Sequence, residues 1–103
     1  MILDIHHILN GIAFEWDGDK AHSNLHKHNV AFEFACEIFF DPDALSVPDN
    51  RFDYGEKRYQ TIGKASGQIL LLVVHTDRFS SIRLISARKA NAKERARYEN
   101  DES

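Results

Sequence analysis

The 103-residue chain holds one cysteine, Cys36. That excludes an intrachain disulfide framework and any CxxC metal site, and it leaves Cys36 to act as a small buried hydrophobe. The longest unbroken apolar run, residues 69–74, is far too short to cross a bilayer. The opening MILDIHHILNGIAF has no basic leading segment and carries an early acid, Asp4. It makes a poor signal peptide, and the expected compartment is the cytoplasm. No P-loop, GxGxxG fingerprint or GxSxG elbow occurs, and there is no internal repeat or low-complexity segment. A ligand set for a metal is missing as well. His22 and His26 are spaced i, i+4, but no carboxylate at a matching spacing completes them. No metal and no cofactor are expected.

What is present describes an ordinary globular domain. With 43% hydrophobic and 28% charged residues, the chain is apolar enough to fold and too apolar for disorder. Its length suits one domain with one core. The net charge of -3 gives no global attraction to nucleic acid, so any such contact needs a local basic patch. Charge is unevenly spread. Acids crowd the first half, and residues 78–97 are strongly basic.

The hydrophobic pattern predicts an α+β fold: a small antiparallel sheet of three to four strands, two N-terminal helices and one C-terminal helix. Residues 1–11 read as a lead-in and 12–100 as the domain. Residues 12–16 read as a strand. Asp17 is a suitable N-cap for a helix over 18–28, ended by Asn29 in the left-handed conformation. A second helix is expected over 31–39, with Phe32, Ala35, Cys36 and Phe39 on one face, broken by Asp41-Pro42-Asp43. Strands follow at 44–47, 58–64, 68–76 and 81–87, the third being apolar on both faces and therefore central. Asn91 and Glu94 are spaced as a capping box for a last helix reaching about residue 99, and the acidic tail beyond it should fray.

Three side chains interrupt the apolar strands. His75 closes one, Arg83 sits inside the next, and Arg58 opens another. If the turn after His75 centres on Phe79, His75 falls opposite Arg83, with Cβ atoms roughly 5 Å apart. A one-residue slip would separate them. A face bearing Arg58, His75 and Arg83 suits phosphodiester chemistry. Arginines hold phosphate bidentately, and an imidazole can move a proton near neutral pH. The plain alternative is an edge-facing histidine beside arginines that pair with Glu56 and Asp77. On the first helix, Lys20, Asn24 and Lys27 form a stripe that could approach a phosphate backbone or simply face solvent, while His28 turns toward the core margin. The last helix exposes Lys93, Arg95 and Arg97, for RNA, an acidic partner or solvent.

These residues resemble the BrnT toxin family. The resemblance covers about residues 14–99 and rests on motifs in one order. They are Phe14–Asp17; Asn24, Leu25, Lys27 and His28; Gly55, Glu56, Arg58, Ile62 and Gly63; Val73, His75 and Thr76; and Arg83 to Ala90. The chain departs from the pattern in a longer lead-in, in Asn29 where glycine is common, in Phe34 where an acid is common, and in Leu84 where isoleucine is common. The resemblance implies a RelE-like ribonuclease toxin of a type II toxin–antitoxin system, neutralised by a BrnA-type antitoxin with a DNA-binding domain. Operator DNA would be reached only through that antitoxin. The expected activity is a metal-independent endoribonuclease. Arg83 and Arg58 would hold the scissile phosphate. His75, or else Glu56, would move the proton, and Lys20, Lys27, Arg88 and Arg97 would contact the RNA backbone. A surface spanning Lys27, Arg83, Arg88 and Arg97 would receive the antitoxin. The alternative is a non-catalytic antitoxin-binding module or a degenerate toxin.

Overall fold

Asn10 and Gly11 both take positive φ, 50° and 82°, the backbone of a tight hairpin turn between right-twisted strands. They join β1 (Asp4–Leu9) to β2 (Ile12–Asp17) in an antiparallel pair running from Asp4↔Asp17 to Leu9↔Ile12. The computed structural model describes residues 3–100. The predicted lead-in is thus a strand from Asp4 onward, and its first two residues, like the acidic tail at 101–103, lie outside the described part.

Asp17 caps α1 (Gly18–His28) as predicted, its carboxylate accepting from the Asp19 and Lys20 amides at 2.8 and 3.1 Å. Asn29 ends the helix at φ 57°. The second helix is not uniform. One α turn, α2 (Phe32–Ala35), tightens into a 3-10 segment, Cys36–Phe40. The tighter winding explains the difference from the predicted α-helix. Threefold spacing aims Phe32, Ala35 and Ile38 at the core together, and all three are wholly buried.

The remaining elements are β3 (Leu45–Pro48), β4 (Tyr59–Ala65), β5 (Ile69–Arg78), β6 (Ser81–Lys89) and α3 (Ala92–Asn100). They build one six-stranded sheet in the order β1-β2-β6-β5-β4-β3. It has more strands than expected and is mixed, because β2 runs parallel to β6, pairing Phe14 with Ile82 and Glu15 with Arg83. The β4–β5 hairpin and the central place of β5 match the sequence reading.

Alternation gives the sheet two unlike faces. On one, Phe14, Trp16, Val73, Leu84 and Ala87 pack against α2, the 3-10 segment and Ala21 of α1. Gly63 lies so close to this layer that an added Cβ would stand 2.8 Å from Ile38 Cβ. On the other, Ile62 and Leu72 pack beneath Ala90, just before α3, and Tyr98 within it. Asn91 and Glu94 form the predicted capping box, each side chain accepting from the other's amide at 2.9 Å. Tyr98 donates to Asp41 at 2.7 Å, tying α3 to the end of the 3-10 segment. Beyond α3, this second face turns polar.

Candidate functional site: the open face of the sheet

Leu84, not Arg83, is the partner of His75. The β5–β6 turn is tighter than predicted, with Arg78 opposite Ser81 and only Phe79 and Ser80 between. That one-residue difference moves Arg83 beside Thr76. His75 and Arg83 therefore occupy opposite faces. A bulge between Val74 and His75 shifts the register once more up the strand.

The imidazole of His75 is 6% exposed, on the helix-covered face. It meets Phe39 edge-on at 4.9 Å and stacks near Tyr59 at 5.8 Å. Its Nε2 shares a 2.7 Å hydrogen bond with Thr61, whose hydroxyl meets Ser46 at 2.6 Å. Its Nδ1 is buried and has no hydrogen-bond partner among the described residues; the exposed Asp77 carboxylate stands 3.7 Å away. Burial pushes the pKa of His75 down, against a smaller opposing pull from Asp77, and keeps the ring neutral at pH 7.

On the open face, Arg83 is the centre of a network that the sequence did not reveal. Its Nη1 donates to Glu15 at 2.6 Å and its Nη2 to Asp4 at 3.1 Å. Ser81 donates to the other Glu15 oxygen at 2.6 Å. The bond to Asp4, then that to Glu15, hold Arg83 more firmly charged, although desolvation opposes them. The Ser81 hydroxyl is the largest influence on Glu15, and with Arg83 it keeps that carboxylate ionised against desolvation. His6 is the register partner of Glu15 and sits in the same row. The N-terminal hairpin thus supplies the residues that hold Arg83.

Across β5, the Thr76 hydroxyl donates to the Lys57 carbonyl at 2.7 Å, fixing the segment that leads into β4. Arg58 precedes Tyr59 and alternates onto the face of Thr76. Glu56 bridges Arg58 and Arg78, accepting from each at 3.2 Å. Two strand spacings separate Arg58 from Arg83, roughly 10 Å. The structure thus brings Arg58, Glu56 and Arg83 to one face, and adds Arg78.

The predicted backbone contacts divide between two places. Lys20 and Lys27 border one cleft of about 170 Å³ with Ser23, His28 and Ser86. Asn24, grouped with them in the sequence, is buried instead. Its amide donates to the Val30 and Ala87 carbonyls and accepts from the Ala87 amide, at 2.8–3.0 Å. It satisfies the β6 edge where β2 no longer runs alongside. Leu25 on the same helix is exposed. Arg88 makes two 2.8 Å bonds to Glu94, so it anchors α3. Arg97 is exposed beside Leu45 and Val47 at the β3 edge. Lys27 therefore lies on α1, over the opposite face from α3, and the four cations expected to form one antitoxin surface are not contiguous. Among the described residues no cluster of three or more histidines, cysteines or acids could hold a metal ion. No helix there is long and apolar enough to cross a membrane.

Comparison with known proteins places the chain in a family. None of the curated proteins matches the chain. Among solved structures, the ribonuclease toxin BrnT of Brucella abortus superimposes with a TM-score of 0.54 at 27% identity, covering 74% of this chain and 92% of that one. Residues 16–94 match the family described as the ribonuclease toxin BrnT of type II toxin–antitoxin systems. That stretch runs from the end of β2 through α1 and all of β3–β6, with Arg58 and Arg83 inside it, and the chain belongs to the BrnT family of ribonuclease toxins.

Proposed function

We propose that the open face cleaves single-stranded RNA without a metal, by attack of a ribose 2′-OH on the adjacent phosphate. The observation that carries this reading is the row Arg58, Thr76, Arg83, with Arg78 and Glu56 at one end. Arg58 and Arg83 hold the phosphate and the charge that grows on it. A guanidinium has five N–H donors, and the Arg83 bonds to Glu15 and Asp4 leave donors for phosphate oxygens. Glu56 takes the 2′-OH proton. The 2′-oxygen bonds to phosphorus, the bond to the 5′-oxygen breaks, and the departing oxygen takes a proton from solvent. The products are a 2′,3′-cyclic phosphate and a 5′-hydroxyl. The buried, neutral position of His75 favours a positioning role for it, holding the end of β5 through Thr61. Lys20 and Lys27 guide the RNA backbone along their cleft. Arg97 offers a second contact.

As a type II toxin, the protein has an antitoxin partner. In this reading the partner is of the BrnA type, carries the DNA-binding domain, and brings the complex to operator DNA in the cytoplasm. The sheet is read as a RelE-like scaffold extended by the β1–β2 hairpin.

The test is incubation of the purified protein with single-stranded RNA in EDTA, with end analysis of the fragments. Cyclic phosphate ends at an undiminished rate are expected. Cleavage that stops with EDTA and returns with Mg²⁺ or Zn²⁺ overturns the metal-free reading. Intact RNA, with tight antitoxin binding retained, replaces the enzyme by a binding module.

A further inference from the structure

The segment 48–59 borders a cavity of about 410 Å³. Its lining includes Phe52, Tyr54, Lys57 and Arg58. Phe52 is 69% exposed, so its ring contributes little to the core. It stands edge-to-face with Tyr54, centroids 5.8 Å apart. On Tyr54 lies the guanidinium of Arg58, 4.2 Å from the ring centroid. Arg58 also bonds Glu56 in the row described above. The cavity and the phosphate row therefore share a residue.

The loop is held in shape without help from a ligand. Asp49, 4% exposed, accepts from the Arg51 side chain at 2.8 and 2.9 Å and from the Tyr54 hydroxyl at 3.2 Å. Its amide donates to the Arg58 carbonyl at 2.7 Å. The Gly55 amide donates to Asp53 at 3.1 Å. Tyr54 is thus fixed through its hydroxyl while its ring stays available to neighbours. The lining also holds Asp49, Asp53 and Glu56, of which Asp49 is paired with Arg51 and Glu56 with Arg58. An exposed aromatic face beside Lys57 and Arg58, next to the row proposed to hold phosphate, is an arrangement that can stack an unpaired base.

We propose that this cavity is a subsite for one unpaired nucleobase of the RNA, stacked on Phe52, with its phosphate directed toward Lys57 and Arg58. The proposal rests on the ribonuclease reading and adds a substrate class: single strands in which one base near the scissile phosphate is free to turn outward. A base held in a duplex has no exposed face to give, so paired RNA is a poor substrate.

The experiment uses RNA oligonucleotides with 2′-O-methyl riboses, which bind but lack the attacking hydroxyl. A fluorescent 2-aminopurine is placed at successive positions. The intact protein should quench the probe at one position by stacking. Phe52→Ala should abolish that quenching and weaken binding roughly 5- to 150-fold, the ordinary worth of one stacked base. Phe52→Trp should restore both. Quenching at no position, or quenching that survives Phe52→Ala, overturns the subsite and leaves the ribonuclease reading intact. Quenching that behaves as expected in a protein that cleaves no unmodified RNA upholds the subsite and overturns only the catalytic reading. If Phe52→Ala weakens antitoxin binding and leaves RNA binding unchanged, the ring is a protein contact and the subsite is overturned.

Discussion

The two faces of the sheet are made by the same strands and differ in nearly every physical respect. The face under α2 carries Phe14, Trp16, Val73 and Leu84, and the imidazole of His75 on it is buried and neutral. The face beyond α3 carries Glu15, Thr76, Arg78 and Arg83, where Ser81 and Arg83 donate to Glu15 and Arg78 donates to Glu56. Residues 75 and 76 are neighbours in the chain and belong to different chemistries. The larger apolar cluster lies on one side, and the charged hydrogen bonds around Glu15 and Arg83 on the other.

That division can be broken from either side. The largest effect belongs to the covered face. Trp16 is 1% exposed and packs edge-on against Phe32 at 5.6 Å. Trp16→Ala should cost about 3–5 kcal/mol, read by chemical denaturation, a large share of a small domain's stability. A loss under 1 kcal/mol would mean that the covered face is not the stabilising one.

Next comes Arg83. Arg83→Ala should slow RNA cleavage roughly 100- to 1,000-fold, as removal of a transition-state contact does. Its melting temperature should fall less than that of Trp16→Ala. Some of that fall comes from Glu15, left half-buried without its cation, so the double variant Arg83→Ala, Glu15→Ala should recover part of it while cleavage stays lost. Full-rate cleavage by Arg83→Ala would make the whole network structural.

The smallest effect is a pH dependence from the covered face. Burial holds the His75 pKa below its ordinary value of 6.5. Above that value both folded and unfolded chains carry the neutral ring, and its stabilising contribution is complete. As pH falls below it, the unfolded chain takes up a proton that the folded chain refuses, and stability declines until the lower folded value is passed. Melting measured from pH 7.5 to 5 should show this decline, and His75→Gln should flatten it. The carboxylates bound to arginine act lower. Asp49, held at about 2 chiefly by its hydrogen bond to Arg51, loses its contribution only as pH falls from about 4. An identical pH profile in His75→Gln would show that the ring is not shielded as described.

Local signals in the sequence predicted local structure well. Asp17, Asn29, and the pair Asn91 and Glu94 marked helix ends that the structure reproduces, because each acts on backbone groups a few residues away. Asn10-Gly11 was an equally good signal for a hairpin, since flanking residues alternate, and reading residues 1–11 as a lead-in passed over it. Other features had no local mark. Nothing near Phe14 or Ile82 announces that β2 lies parallel to β6. The bulge beside His75 and the two-residue turn at Phe79-Ser80 decide which face His75 occupies, yet either register keeps the same apolar strand. At the site, Arg58 and Arg83 were visible as charges interrupting apolar strands, and Glu56 as a carboxylate that could pair with them. Glu15 and Asp4 were not, because they reach Arg83 from 68 and 79 positions away.

The same join bears on the order in which the molecule is made. The β1–β2 and β5–β6 hairpins close short loops and can form on their own within microseconds. Joining β2 to β6 must wait for nearly the whole chain, and it carries the entropy of closing a long loop. Arg83 reaches Glu15 and Asp4 only after that step. A growing chain therefore passes through synthesis with its two halves of the open face apart, and acquires the assembled face late.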